Sequence, residues 1–204
     1  MTVVELDTPH GPARAHLHRA DAPVGALVLG HGAGGGVAAP DLVAVTEVAW
    51  DAGVSVALVE QPYRVAGRRS PAPARQLDAA WTAVVGQLVA GPLSGPPLIV
   101  GGRSSGARVA CRTAAATGAA GVLCLAFPLH PPRRSADAPP KTRLPELDAV
   151  EVPVLVVQGE RDPFGMPPAG PHRDVVAVRG DHRLAADRGA VSAAVRDWLA
   201  RLLG

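Results

Sequence analysis

The chain has 204 residues, 48% of them apolar, and a formal net charge of +2, which suits one soluble globular domain with a sizeable core and fits two domains poorly. Its arginines are scattered, with Arg68-Arg69 and Arg133-Arg134 the only adjacent pairs, so the clustered basic stripe that nucleic acid requires is missing. No segment approaches the roughly 20 apolar residues of a membrane span, and the first residues lack the basic start and apolar run of a signal peptide. A cytoplasmic location is therefore expected.

Residues 2–6 and 13–18 alternate polar and apolar side chains around Pro9, Gly11 and Pro12, which predicts an antiparallel hairpin at the start of the domain. After it, short apolar runs at 24–29, 54–59, 97–100, 121–126 and 152–157 show no alternation. Such runs are expected of parallel strands buried on both faces. Between them, 41–51, 75–90 and 106–117 carry helical spacing. A last strand at 174–178 and a last helix over 187–203 follow, the helix with Val191, Val195, Trp198 and Leu199 on one face. The order predicts an α/β, mostly parallel, doubly wound sheet made mixed by the N-terminal hairpin. Proline-rich stretches at 128–145 and 161–173 are expected to be loops, with room for a short helical turn, and the absence of a long insertion predicts no substantial lid. Cys111 and Cys124 fall on a predicted core helix and core strand, so buried thiols are expected rather than a disulfide.

Ligands of an open parallel sheet bind beyond the carboxyl ends of its strands. Gly102-Arg103-Ser104-Ser105-Gly106 stands at such an end and opens a helix, the setting in which G-x-S-x-G makes a sharp turn that lifts the serine above the sheet. In a chain with 23 glycines the pentapeptide alone also fits an ordinary tight turn or a phosphate cradle; the strand-turn-helix context favours a nucleophile. A serine hydroxyl needs a base to take its proton, and the base needs an acid to fix its tautomer. Asp162 follows the run at 152–157 and His182 follows the last strand, which gives the chain order Ser, Asp, His. Taken singly, Asp162 before Pro163 reads equally as the start of a turn and His182 as a surface or helix-capping residue. Glu160 and Asp181 are weaker candidates for the acid.

His31-Gly32-Ala33-Gly34-Gly35-Gly36 follows the third strand, where a second oxyanion donor is expected. The backbone amides of Ala33 and Ser105 are the predicted oxyanion hole. His31, Gly32, Gly34, Tyr63, Arg64 and His130 are expected at the substrate site. Gly32, Gly34 and Gly35 are not spaced as G-x-G-x-x-G, although Gly30, Gly32 and Gly35 are, and no Walker-type G-K-[ST] occurs; nucleotide phosphate is not expected. His16 and His18 share one strand face near His10, but no carboxylate or cysteine spacing supports a metal site. No metal or organic cofactor is expected. Arg103 is read as the partner of a buried carboxylate in preference to a guide for acidic substrates.

Four segments carry a resemblance to a known family: Leu29-Gly30-His31-Gly32-Ala33-Gly34-Gly35, Gly101-Gly102-Arg103-Ser104-Ser105-Gly106-Ala107-Arg108, Phe127-Pro128-Leu129-His130-Pro131-Pro132 and Val157-Gln158-Gly159-Glu160-Arg161-Asp162-Pro163-Phe164-Gly165. The sequence resembles α/β hydrolases of the dienelactone-hydrolase-like group. It is more closely similar to a small hydrolase-like family that includes a testis-expressed protein and a histone-acetyltransferase complex subunit. The resemblance covers nearly the whole chain. It implies Ser104, Asp162 and His182 as nucleophile, acid and base, with the His130 segment near the site. Only 19 residues separate Asp162 from His182, which leaves little room for the helix the family usually carries there. The expected activity is hydrolysis of a small or short-chain acyl ester, with amides and thioesters as lesser options. Acyl transfer through the same residues and a noncatalytic protein-interaction module are the alternatives. A protein partner or homo-oligomer is not indicated by any residue pattern.

Overall fold

The computed structural model describes residues 1–131 and 141–204. The middle of the expected proline-rich loop, residues 132–140 with Arg133-Arg134, lies outside the described residues. Among the described residues eight strands form one sheet: β1 (Thr2–Leu6), β2 (Ala13–His18), β3 (Gly25–Gly30), β4 (Val54–Glu60), β5 (Leu98–Arg103), β6 (Gly121–Leu125), β7 (Val154–Gly159) and β8 (Arg173–Val178). Their order is β1-β2-β4-β3-β5-β6-β7-β8. β1 and β2 are antiparallel to each other and β2 to β4, while β3 to β8 run parallel. β2 therefore lies inside the sheet, not at its edge, and His16 pairs with Glu60 on β4 at 3.0 Å. No group of three or more metal-binding side chains is present among the described residues.

Among the described residues six helices cover the sheet: α1 (Pro40–Asp51), α2 (Pro62–Val65), α3 (Ala74–Ala90), α4 (Ser105–Thr117), α5 (Leu144–Asp148) and α6 (Arg188–Leu203). The short α2 follows β4 directly, and α5 begins at the end of the proline-rich stretch 128–145. Each begins with proline in its first turn, where the missing N–H costs nothing and the fixed φ suits a helix. None of the helices described is long and apolar enough to cross a membrane.

The parallel strands send alternate side chains to opposite faces. Ala26 and Val28 of β3 join one core with Trp81 and Leu88 of α3 and Val109 of α4. Leu27 and Leu29 join the other with Leu42 and Val45 of α1 and Val195 and Trp198 of α6. Burial on both faces explains why these strands read as unbroken apolar runs. Cys111 of α4 and Cys124 of β6 are buried free thiols, their sulfurs 3.5 Å apart. Their mutual hydrogen bond, then burial, holds the Cys124 thiol well above its ordinary range, so it is not a poised nucleophile.

The loop between β7 and β8 contains no helix. Among the described residues, no long insertion stands over the carboxyl ends of the parallel strands, which leaves the ends of β3, β5, β6, β7 and β8 to form the site.

Candidate active site

β5 turns into α4 at Ser104, whose backbone adopts φ 53° and ψ −107°. A non-glycine residue at positive φ is strained and persists only where its surroundings fix it. The Ser104 amide donates to Leu125 O on β6 at 2.9 Å, which is one such constraint. The flanking glycines serve a purpose the motif does not spell out: a Cβ at either Gly102 or Gly106 would collide with the Gly30 carbonyl at the end of β3. They let the turn press against the neighbouring strand.

Asp162 lies in the loop after β7, with its side chain 1% exposed. Its Oδ1 accepts from the Phe164 amide at 2.9 Å. Its Oδ2 accepts from Gln158 Nε2 at 2.9 Å and from His182 Nδ1 at 2.8 Å. A carboxylate only accepts, so the imidazole proton sits on Nδ1 and leaves Nε2 as an acceptor. Nε2 stands 3.0 Å from Ser104 Oγ. The three residues thus form one directed relay. The Phe164 ring meets His182 edge-on, centroids 4.6 Å apart. The two other acidic residues near this relay point elsewhere. Glu160 is exposed, and Asp181 caps the Arg183 amide at 2.9 Å.

The glycine-rich loop after β3 comes against the serine: a Cβ at Gly32 would lie 3.7 Å from Ser104 Cβ. His31 beneath it is 3% exposed. Its Nε2 accepts from the Gln61 amide at 3.2 Å, and Nδ1 donates to Gly32 O at 2.8 Å. Burial, the largest cause, holds the imidazole pKa below its usual 6.5. The Gly32 carbonyl and Ala33 N–H share a trans peptide and point in opposite directions, so His31 sets the aim of the Ala33 amide. Tyr63 Oη donates to Ala33 O at 2.9 Å. Among the described residues, the amides of Ala33 and Ser105 donate to no other group. A Cβ at Gly34 would meet nothing within 4 Å, so that stretch of loop faces open space.

His31 and Tyr63 accordingly lie under the loop, not on its surface. Arg64, also in α2, is half-buried, with Nη1 3.4 Å from Arg68 O. His130 is exposed; its amide donates to Phe164 O at 2.8 Å and its ring abuts Gly165, so it ties the end of β6 to the loop after Asp162. Arg103 has the expected buried partner, Asp41, at 2.9 Å.

Sequence reasoning missed Gln158, Asp41 and Phe164. Gln158 is fully buried, and its Nε2 also reaches Phe127 O at 3.1 Å and Gly165 O at 2.8 Å. A lone amide at the end of an apolar strand was the available signal, because a buried polar group needs partners. Asp41 in the first turn of α1 looks like ordinary helix-dipole compensation and gave none.

A family model for an alpha/beta hydrolase domain matches residues 23–176, and the chain belongs to that family. The fold is shared with an α/β serine hydrolase without lid from Xanthomonas campestris, at 20% identity and TM-score 0.73, covering 97% of this chain and 94% of that one. An esterase from Pyrococcus furiosus gives 16% identity and TM-score 0.79, covering 100% and 90%. A dienelactone hydrolase from Anabaena variabilis gives 17% identity and TM-score 0.75, covering 98% and 96%. No curated protein matched the sequence.

Proposed function

We propose that the chain, read as one domain, is a serine hydrolase that cleaves a carboxylic ester of a small or short-chain acyl group through an acyl-Ser104 intermediate. The observation that carries this reading is the relay from Asp162 Oδ2 to His182 Nδ1 and from His182 Nε2 to Ser104 Oγ, at 2.8 and 3.0 Å.

As Ser104 Oγ attacks the ester carbonyl, its proton passes to His182 Nε2, and the Asp162 carboxylate stabilises the imidazolium. The developing oxyanion is met by the amides of Ala33 and Ser105, each worth about 3 kcal/mol in comparable sites. The positive end of α4 lies beneath it. His182 then returns the proton to the leaving alcohol oxygen, and the carbon–oxygen bond to the alcohol breaks. Water deprotonated by the same nitrogen attacks the acyl-enzyme, releasing the acid and restoring Ser104. No step calls for a metal or organic cofactor. Gly34 and the open loop around it would border the acyl group, and the lack of a long insertion favours small substrates.

The similar structures, a serine hydrolase, an esterase and a dienelactone hydrolase, agree with this reading in chemical class. The narrower resemblance to the family with a histone-acetyltransferase complex subunit is what keeps a noncatalytic interaction role as the rival. A fluorophosphonate probe separates the two: labelling of the wild-type chain, lost in Ser104→Ala, is expected. Absent labelling, or equal labelling of the variant, would sink the hydrolase reading. Turnover of a panel of short and long acyl esters, with competing alcohols added, identifies the acyl group and distinguishes hydrolysis from transfer.

A further inference from the structure

Arg103 precedes the nucleophile and closes β5, yet its side chain runs sideways across the site. Its Nη2 donates to the backbone carbonyl of His182 at 3.0 Å. Its Nε lies 2.9 Å from Oδ2 of Asp41, which is fully buried in the first turn of α1. Its Nη1 borders the glycine-rich loop, where a Cβ at Gly32 would come within 2.8 Å. One planar group thus touches the segment that carries the base, the loop that carries Ala33, and the helix into which that loop leads.

We propose that Arg103 is a positioning residue, holding the His182 loop and the Gly32-Ala33 loop in register with Ser104. The inference rests on the hydrolase reading above. Two observations support it beyond the contacts themselves. The His182 loop joins β8 to α6 without regular structure of its own, and Leu184 beside His182 is buried at φ 51°, a conformation its surroundings must enforce. Stability alone also gives no reason for the Arg103–Asp41 pair. A buried ion pair is often matched or bettered by apolar residues of the same volume, and Asp41 Oδ2 has no aligned hydrogen-bond donor despite the short ionic contact. An apolar pair would not hold the His182 carbonyl. The planar fork of arginine spreads donors in fixed directions, so it bridges Asp41 and His182 together, whereas the point charge of lysine does not.

The test uses a short acyl nitrophenyl ester and the variants Arg103→Met, Arg103→Lys and Arg103→Ala. Arg103→Met is expected to lower kcat about 10- to 100-fold with KM within about threefold, as misplaced catalytic groups do. Arg103→Lys, which keeps the charge beside Asp41 and so the fold, is expected to lose most of the same activity. Ethylguanidinium, but not ethylammonium, is expected to restore part of the Arg103→Ala rate, a response that loss of folding would not give. In a Ser104→Ala background, the downfield proton resonance of His182 Nδ1 should shift or broaden when Arg103 is changed to lysine. Full kcat in Arg103→Lys with an unmoved resonance overturns the proposal. Ester turnover that survives Ser104→Ala would instead remove the hydrolase reading, while the resonance would still report whether Arg103 positions His182.

Discussion

His31 Nδ1 donates to the Gly32 carbonyl at 2.8 Å while Nε2 accepts from the Gln61 amide at 3.2 Å, so the ring fits its site only in the neutral state. Protonation would turn Nε2 into a donor facing a donor. Burial holds the folded pKa below 6.5, and the sign of the linkage follows. Above about pH 6.5 folded and unfolded chains are both neutral at this position and nothing is lost. As pH falls further, the unfolded chain takes up the proton first, and stability declines by up to about 1.4 kcal/mol per pH unit until the folded pKa is reached. Urea unfolding between pH 8 and pH 5 measures this. His31→Asn should flatten the slope relative to wild type; an unchanged slope would show that His31 is not its source.

Tyr63 acts on the same loop through a single bond to Ala33 O. Tyr63→Phe keeps the ring and its edge contact with His31, centroids 5.7 Å apart, but frees that carbonyl. The expected cost is about 1 kcal/mol or less in stability and, on the proposed mechanism, about a 3- to 30-fold fall in kcat, since the Ala33 amide would lose aim without losing its place. Steady-state kinetics beside thermal unfolding separates the two effects.

The acid can be told from its neighbours by substitution. Asp162→Asn should lower kcat by about 10⁴, the effect of a wrong histidine tautomer in comparable triads. Glu160→Gln and Asp181→Asn should stay within about threefold, in line with surface changes away from the relay. A comparable collapse in either of the latter would reassign the acid.

Gln158 Nε2, with two protons to donate, lies within 3.1 Å of three oxygens around Asp162 and the loop beyond it. Gln158→Leu removes the donor to Gly165 O, while Phe127 O keeps the Leu129 amide, and should cost about 1–3 kcal/mol of stability, with kcat reduced about tenfold through a less firmly held carboxylate. Differential scanning calorimetry and ester kinetics on the same preparation check both figures.

At the elbow the limit is space. Gly106→Ala would drive a methyl into Gly30 O, so a loss of about 1–3 kcal/mol or failure to fold is expected. Gly36→Ala, with nothing within 4 Å of its new methyl, should change stability by no more than about 0.5 kcal/mol. Denaturant midpoints of the two proteins give the comparison.

Much of this was legible in the chain. The run at 24–29 became β3, displaced by one residue to Gly25–Gly30, because Val24 at the strand entrance is 52% exposed while the residues after it are sealed on both faces. The last helix starts after Asp187, whose Oδ1 accepts from the Ala190 amide at 3.0 Å, as a capping residue ahead of an apolar face leads one to expect. The short helix α2 was not legible, since four residues carry too little periodicity to mark a helix.

The sequence by itself determined the parallel α/β order, the G-x-S-x-G turn around Ser104, and the succession of serine, aspartate and histidine at strand ends. Those are local matters of pattern, spacing and backbone preference. Only the tertiary structure decided which carboxylate reaches which imidazole. Asp162 and His182 are 20 positions apart, and His182 and Ser104 78, so their meeting depends on the adjacency of β5, β6, β7 and β8 in one sheet. It likewise decided that His31 and Tyr63 support the loop from below, and that Arg103 reaches both Asp41 and the His182 carbonyl. Side-chain direction and burial at these positions follow from what packs around them, and residue type alone does not carry that information.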